Sequence, residues 1–263
     1  MNKFTLITGA SQGIGLEFSK RCASLGRNVL LISLPNEGLE QTSNDIAKSY
    51  GVRCDFFECD LTHFESVEAI YDWVEENVYK IDFLINNAGF GGTDSYESHS
   101  QDYIKSLLDL NVRATSLLTN KFLPHLRENS PSNILNVASV LAGVPAPYKA
   151  LYSSSKTYIK NLSVALSYEL EGSGVGVSVL MTGATPTNDI VKDQIKNGAL
   201  ASRITVMSAE DVARVAIDKA LKGRRIISTS LRIKVVYILL SLMPAWVVAK
   251  IATNQFKKQS KKV

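Results

Sequence analysis

Tyr152 and Lys156 stand four residues apart in the run Tyr-Ser-Ser-Ser-Lys. On a helix that spacing puts both side chains on one face. The pair suggests proton chemistry. A free phenol ionises at about pH 10. An ammonium beside it favours the phenolate and lowers that value towards working pH. A second element lies near the start of the chain, in Thr8-Gly9-Ala10-Ser11-Gln12-Gly13-Ile14-Gly15. Glycines there let the backbone turn tightly and approach a pyrophosphate. A helix opening on such a turn offers free N–H groups and its positive end to phosphates. A Gly-rich turn with no ligand is the competing reading, but a strand before it and a helix after it are the required context. Asn111 falls inside a predicted long helix. Asn is a poor helix former, so its presence implies a task, against the alternative of a solvent-facing side chain.

The elements that must carry these residues follow from hydrophobic periodicity. The pattern predicts strands at Phe4 to Thr8, Val29 to Ser33, Arg53 to Cys59, Ile81 to Ile85, Asn133 to Ala138, Val175 to Met181 and Arg225 to Thr229. Helices are predicted at Gly13 to Leu25, Asn36 to Tyr50, Gln101 to Arg127, Tyr152 to Glu171 and Ala209 to Lys222, the last capped by Ser208. Thr62 and Glu65 read as a capping box for another helix, running to about Val78. Asp189 to Ala201 has the composition of short helices. Strands alternating with helices imply parallel βαβ units. The fold expected is one doubly wound α/β domain over residues 1–230, with about seven parallel strands. A hydrophobic, basic extension occupies 231–263.

Further motifs then acquire meaning. Asn86-Asn87-Ala88-Gly89 ends the fourth strand, and Ser139 ends the fifth, in LNVASVLAG. With the glycine turn, Asn111 and the Tyr152–Lys156 pair, these resemble the short-chain dehydrogenase/reductase family, whose turn reads TGxxxGxG. The resemblance covers about residues 3 to 229. It implies a nicotinamide cofactor and hydride transfer between it and a carbonyl or alcohol carbon. By the same resemblance Tyr152 passes the proton, Ser139 orients the substrate oxygen, Lys156 holds the nicotinamide ribose and lowers the Tyr152 pKa, and Asn111 holds a water in a proton relay. Gly9, Ser11, Gln12, Gly13, Ile14 and Gly15 would face the phosphates. Ser33 would face the adenosine ribose, Asp60 with Leu61 the adenine, and Asn87, Ala88 and Gly89 the inner cofactor wall. After the sixth strand the family usually has Pro-Gly, whereas this chain has Thr182-Gly183. Thr185 and Thr187 are still expected at the carboxamide, and the segment from Asn188 to Ala201 would be the substrate lid. The family also implies a homo-oligomer, dimer or tetramer.

The second strand ends in Ile32-Ser33-Leu34-Pro35-Asn36, with no acid before Glu37. An acid there would bind a ribose 2′-hydroxyl and repel a 2′-phosphate. The usual basic clamp for a 2′-phosphate is missing too, because Leu34, Pro35 and Gln12 hold those places. A missing repulsive group excludes less than a present one. The expected cofactor is therefore NADP(H), with NAD(H) retained. The expected activity is an NADP(H)-dependent carbonyl reductase. The alternatives are an NAD-dependent alcohol dehydrogenase, or a non-catalytic nucleotide-binding or membrane-docking protein. The latter class usually loses the Tyr or the Lys, and both are present here.

Bulk properties agree with a globular enzyme. Of 263 residues, 45% are hydrophobic and 21% charged, enough for a substantial core. A net charge of +4 is too small to suggest nucleic acid. Cys22, Cys54 and Cys59 are odd in number and without paired spacing, which argues against a disulfide scaffold. No His/Cys spacing suggests a metal. The N-terminus has no apolar signal region, so a cytoplasmic protein is expected. Val235 to Ala249 lacks any charge but is too short to span a bilayer, and Pro244 would kink it. Arg232 and Lys234 precede it, and Lys250, Lys257, Lys258, Lys261 and Lys262 follow. Three readings stay open for it: packing over the pocket or a dimer face, lying on a membrane surface, or a true span. Extensions of this kind resemble those of reductases acting on long-chain lipids, which implies a hydrophobic ketone.

Overall fold

The computed structural model describes residues 3–186 and 206–260. Seven strands form one parallel sheet: β1 (Lys3–Thr8), β2 (Asn28–Ser33), β3 (Cys54–Glu58), β4 (Lys80–Asn86), β5 (Ser132–Val137), β6 (Val175–Met181) and β7 (Ile226–Ser228). Their order across the sheet is β3-β2-β1-β4-β5-β6-β7. The direction of winding reverses between β1 and β4. The crevice outside the carboxyl ends of those strands is where such folds bind ligands.

The helices are α1 (Gly13–Ser24), α2 (Leu39–Tyr50), α3 (Ser66–Glu76), α4 (Gln101–Leu108), α5 (Thr115–Glu128), α6 (Ala150–Glu169), α7 (Ala209–Ala220), α8 (Leu231–Leu242) and α9 (Ala245–Ser260). The central strands are almost wholly buried, which is why they read as continuous apolar runs. Alternate side chains feed two layers. Ile7, Leu31, Ile85 and Leu135 pack on one face, against α1, α2 and α7. Phe4, Leu6, Leu30, Ile32 and Leu84 pack on the other, against α3 and α5.

The sheet and the β/α alternation agree with the sequence pattern; the differences lie at helix ends and in the middle of one long helix. The second helix begins at Leu39 rather than Asn36, because Asn36 and Gly38 both take positive φ, 66° and 70°. The Thr62–Glu65 capping box does not form. The helix starts at Ser66, and Asp60 organises the turn instead: its Oδ1 accepts from the Thr62 amide, and its carbonyl accepts from Ser66 Oγ. The long helix expected from Gln101 is interrupted by a π-helical turn, Asp109–Ala114, before continuing as α5. α6 starts two residues before Tyr152. Ser208 caps α7 as expected, accepting from the Asp211 amide. Thr187 and the predicted lid, Asn188 to Ala201, lie outside the described residues.

The extension folds as two helices broken at Pro244. Ile233, Val248, Ala252 and Phe256 are buried, and Ala252 and Phe256 pack on Ala146. Among the described residues no helix is long and apolar enough to cross a membrane.

Candidate active site

A cavity of about 740 Å³ opens over the carboxyl ends of the strands. Each expected site residue that the structure describes lines it, except Asn111. The floor is built by locking two loops together. Thr8 Oγ1 accepts from the amides of Asn87 and Ala88, and Asn87 Nδ2 donates to the carbonyls of Thr8 and Gly9. The loops approach so closely that a Cβ on Gly15 would lie 1.9 Å from the Gly9 carbonyl oxygen. Only glycine fits there, and the first turn of α1 is thereby exposed to the cavity. A pyrophosphate suits this bare backbone and helix start.

Behind the floor, Asn111 occupies the π-helical turn, a feature that often marks functional sites. Its Nδ2 donates to the Phe90 carbonyl at 2.8 Å and to Ser155 Oγ at 3.1 Å, while its Oδ1 accepts from the Phe90 amide at 3.0 Å. Thus Asn111 clamps the loop after β4. A Cβ on Gly89 would lie 2.8 Å from Asn111 Oδ1 and 3.2 Å from Lys156 Nζ, so Gly89 keeps this corner open.

Lys156 is buried, and its Nζ donates to the Val137 carbonyl at 2.9 Å. It lies 5.9 Å from the centroid of the Tyr152 ring. Ser139, just past β5, is buried; its Oγ accepts from the Leu141 amide at 3.2 Å, and its hydroxyl is near enough to Tyr152 to favour the phenolate. The Tyr152 shift runs opposite to the sign expected from an adjacent ammonium alone. Burial pushes its pKa above the ordinary value, and the nearby Ser139 opposes this only in part. Lys156 falls to about 8, also by burial. Loss of solvation disfavours the charged form of each group. A phenol held neutral is matched to donating a proton.

At the opposite end, Ser33 Oγ bonds to Glu37 Oε2 at 2.8 Å and to Ser11 Oγ at 2.9 Å, and Ser11 Oγ itself donates to Glu37. Counted along the chain, Glu37 stands too far past β2 to serve as the strand-end acid. The turn Pro35-Asn36-Glu37-Gly38, with two positive-φ residues, folds it back onto Ser33. Pro, Asn and Gly in one short stretch are the signal for that reversal. Asp60 and Leu61 line the cavity beside it. Thr185 is buried near the cavity rim, its Oγ1 3.3 Å from that of Thr182. Two contributors have no counterpart in the sequence motifs: Lys149, and the inner faces of α8 and α9, which supply Val236, Leu240, Val248, Ile251 and Phe256.

Comparison with known proteins agrees with this geometry. A family model described as short chain dehydrogenase matches residues 3–197. The ketoacyl reductase HetN of Nostoc is 30% identical over 223 residues, 84% of this chain and 76% of its own length. The very-long-chain 3-oxoacyl-CoA reductase of Anas platyrhynchos is 31% identical over 69% of this chain, which spans 59% of that relative. A short chain dehydrogenase from Burkholderia cenocepacia, solved in complex with NADP, superimposes with a TM-score of 0.74 at 25% identity, covering 87% of this chain and 96% of its own.

Proposed function

Because this chain belongs to the short-chain dehydrogenase family, oxidoreductases acting on alcohol and ketone groups, we propose that it reduces the carbonyl of an apolar, long-chain ketone. The observation that carries this reading is the meeting of Tyr152, Ser139 and Lys156 at the floor of a cavity walled by Val144, Val248, Ile251 and Phe256. The names of the ketoacyl and 3-oxoacyl relatives support the same substrate class.

The bare glycine turn, Asn87 and Lys156 fit a nicotinamide dinucleotide, which when bound supplies the hydride. The residues do the rest. Ser139 and Tyr152 both donate to the carbonyl oxygen and fix it. As negative charge grows there, the neutral Tyr152 hydroxyl gives up its proton to it. Lys156, with an ammonium of three donors, holds the nicotinamide ribose and lies close enough to stabilise the phenolate left behind.

For the cofactor, the missing strand-end acid and the NADP-bound relative support NADP(H). Glu37 supports NAD(H): its carboxylate stands beside Ser33, where a 2′-phosphate would meet it. No Arg, and among lysines only Lys149 and Lys156, line the cavity among the described residues. The Glu37 geometry is the more specific observation, so NAD(H) is the cofactor we assign. The extension supports two roles together. Its buried residues wall the pocket, while exposed Leu239, Leu242 and Trp246, flanked by Arg232, Lys234 and Lys250, suit an anionic membrane surface. A homo-oligomer is inferred from the family alone.

The test is turnover. Nicotinamide oxidation should be seen with medium- and long-chain ketones, and Tyr152→Phe should lower kcat by about 10²- to 10⁴-fold with cofactor affinity unchanged. Full activity in Tyr152→Phe would refute the assigned role.

A further inference from the structure

Lys149 is the residue just before α6, three positions ahead of Tyr152, and it lines the substrate end of the cavity. Its Nζ lies 5.8 Å from the Tyr152 ring centroid and 5.5 Å from that of Phe256 on α9. An ammonium carries three donors. Among the described residues this one has a single acceptor, the Gly92 carbonyl, at a long 3.3 Å. Asp94 is near enough to favour its charge, yet burial outweighs that help and lowers Lys149 to about 8. A half-buried cation between two aromatic rings, with donor capacity unused, is costly unless a ligand completes it.

The charges around the cavity are divided. Its acids, Glu37 and Asp60, follow β2 and β3 at the adenosine end. The catalytic end is lined by Lys149 and Lys156 and, among the described residues, by no acid, Asp94 standing near Lys149 but off the cavity wall. Lys156 is committed to the Val137 carbonyl and the cofactor side. Lys149 is left facing the substrate.

We infer that Lys149 anchors an oxygen acceptor of the substrate, a carboxylate or an acyl carbonyl, standing a few carbons from the ketone that Tyr152 protonates. The substrate is then an oxo acid or oxoacyl compound whose apolar chain runs between α8 and α9. This rests on the carbonyl-reductase reading above and narrows it. Lys149 is a specificity residue that takes no part in the proton transfer.

The experiment compares wild type, Lys149→Met and Lys149→Arg on 2-decanone, 4-oxodecanoate and methyl 4-oxodecanoate. Losing a charge-assisted bond should lower kcat/KM by about 10- to 100-fold on the acceptor-bearing ketones, mainly through KM, with Lys149→Arg restoring most of it. The reduction of 2-decanone should stay unchanged. A fall on the oxo acid alone identifies a carboxylate, and a fall on acid and ester alike identifies the acyl carbonyl. Equal losses on all three substrates would mean that Lys149 only braces the Gly92 loop, and would overturn the inference. Binding of decanoate to the cofactor-loaded protein, measured by calorimetry, tests the anchor without turnover. Weaker binding to Lys149→Met by the same factor supports it, and equal binding to both proteins overturns it. An absence of ketone reduction together with Lys149-dependent decanoate binding would sink the reductase reading while leaving the anchor in place.

Discussion

Replacing Glu37 by Gln isolates one negative charge at the adenosine end. The amide keeps the size of the carboxylate and can still bond to Ser33 and Ser11, which hold Glu37 at 2.8 Å and in direct contact. A 2′-phosphate placed against Ser33 would lie one hydrogen-bond partner away. Two unit charges about 4 Å apart repel by about 1 kcal/mol in water and about 4 kcal/mol at the effective dielectric of a protein surface. A phosphate carries about 1.5 to 2 charges at neutral pH. Glu37 is exposed, which puts the cost near the lower bound. The substitution should therefore tighten NADPH binding about 10- to 100-fold at low salt, with the gain shrinking as ionic strength rises. NADH binding should weaken modestly, since a charged acceptor for the 2′-hydroxyl becomes a neutral one. Titration of nicotinamide fluorescence in wild type and Glu37→Gln reads both constants. If wild type already binds NADPH more tightly than NADH, and the substitution moves neither, Glu37 does not face the ribose and the NAD(H) assignment fails.

Two further predictions concern the catalytic lysine and the extension. Lys156 has a folded pKa of about 8 against an ordinary 10.5, so between those values the unfolded chain binds more protons and stability rises with pH. The three thiols, raised to between about 11 and 12, act in the opposite direction above pH 9. Wild type should accordingly gain about 1 kcal/mol relative to Lys156→Met between pH 7.5 and 9.0, read from denaturant midpoints; a constant difference would mean that Lys156 is not desolvated. Truncation after Ser230 should abolish co-sedimentation with anionic liposomes and raise KM for long-chain ketones, because it removes both the exposed Trp246 and the pocket wall at Phe256. Unchanged partitioning of the truncated chain would remove the membrane role.

What is legible in the sequence is local. The glycine turn, the strand alternation, the Ser208 cap and the Tyr152–Lys156 face depend on neighbours within a few residues. Sequence and structure differ where space and chain distance part company. Glu37 lies four residues past Ser33 but touches it, because Asn36 and Gly38 reverse the backbone. An adjacent charge alone predicts a lowered Tyr152 pKa, since burial is invisible in the sequence; in the fold burial decides the sign for both partners. Asn111 is conspicuous in the sequence because it suits a helix poorly. Its partner, the Phe90 backbone 21 residues away, emerges only in the fold.

Lys149 and the α8–α9 pair extend the same point to specificity. The family match ends at residue 197, and the expected motifs all precede that point. Those motifs assemble the cofactor cradle and the proton donor, which serve any carbonyl. In the proposed reading, the surfaces that choose among carbonyls come mainly from α8 and α9, beyond the match, together with Lys149 inside it. Phe256 reaches back across more than a hundred residues to stand over Lys149 and against Ala146. The side chain that faces it, three places before the reactive tyrosine, is a cation rather than another apolar residue. In this reading chemistry and selectivity rest on different side chains, and substitutions in α8, α9 or at Lys149 should alter which ketone is reduced while leaving the Tyr152 proton transfer intact.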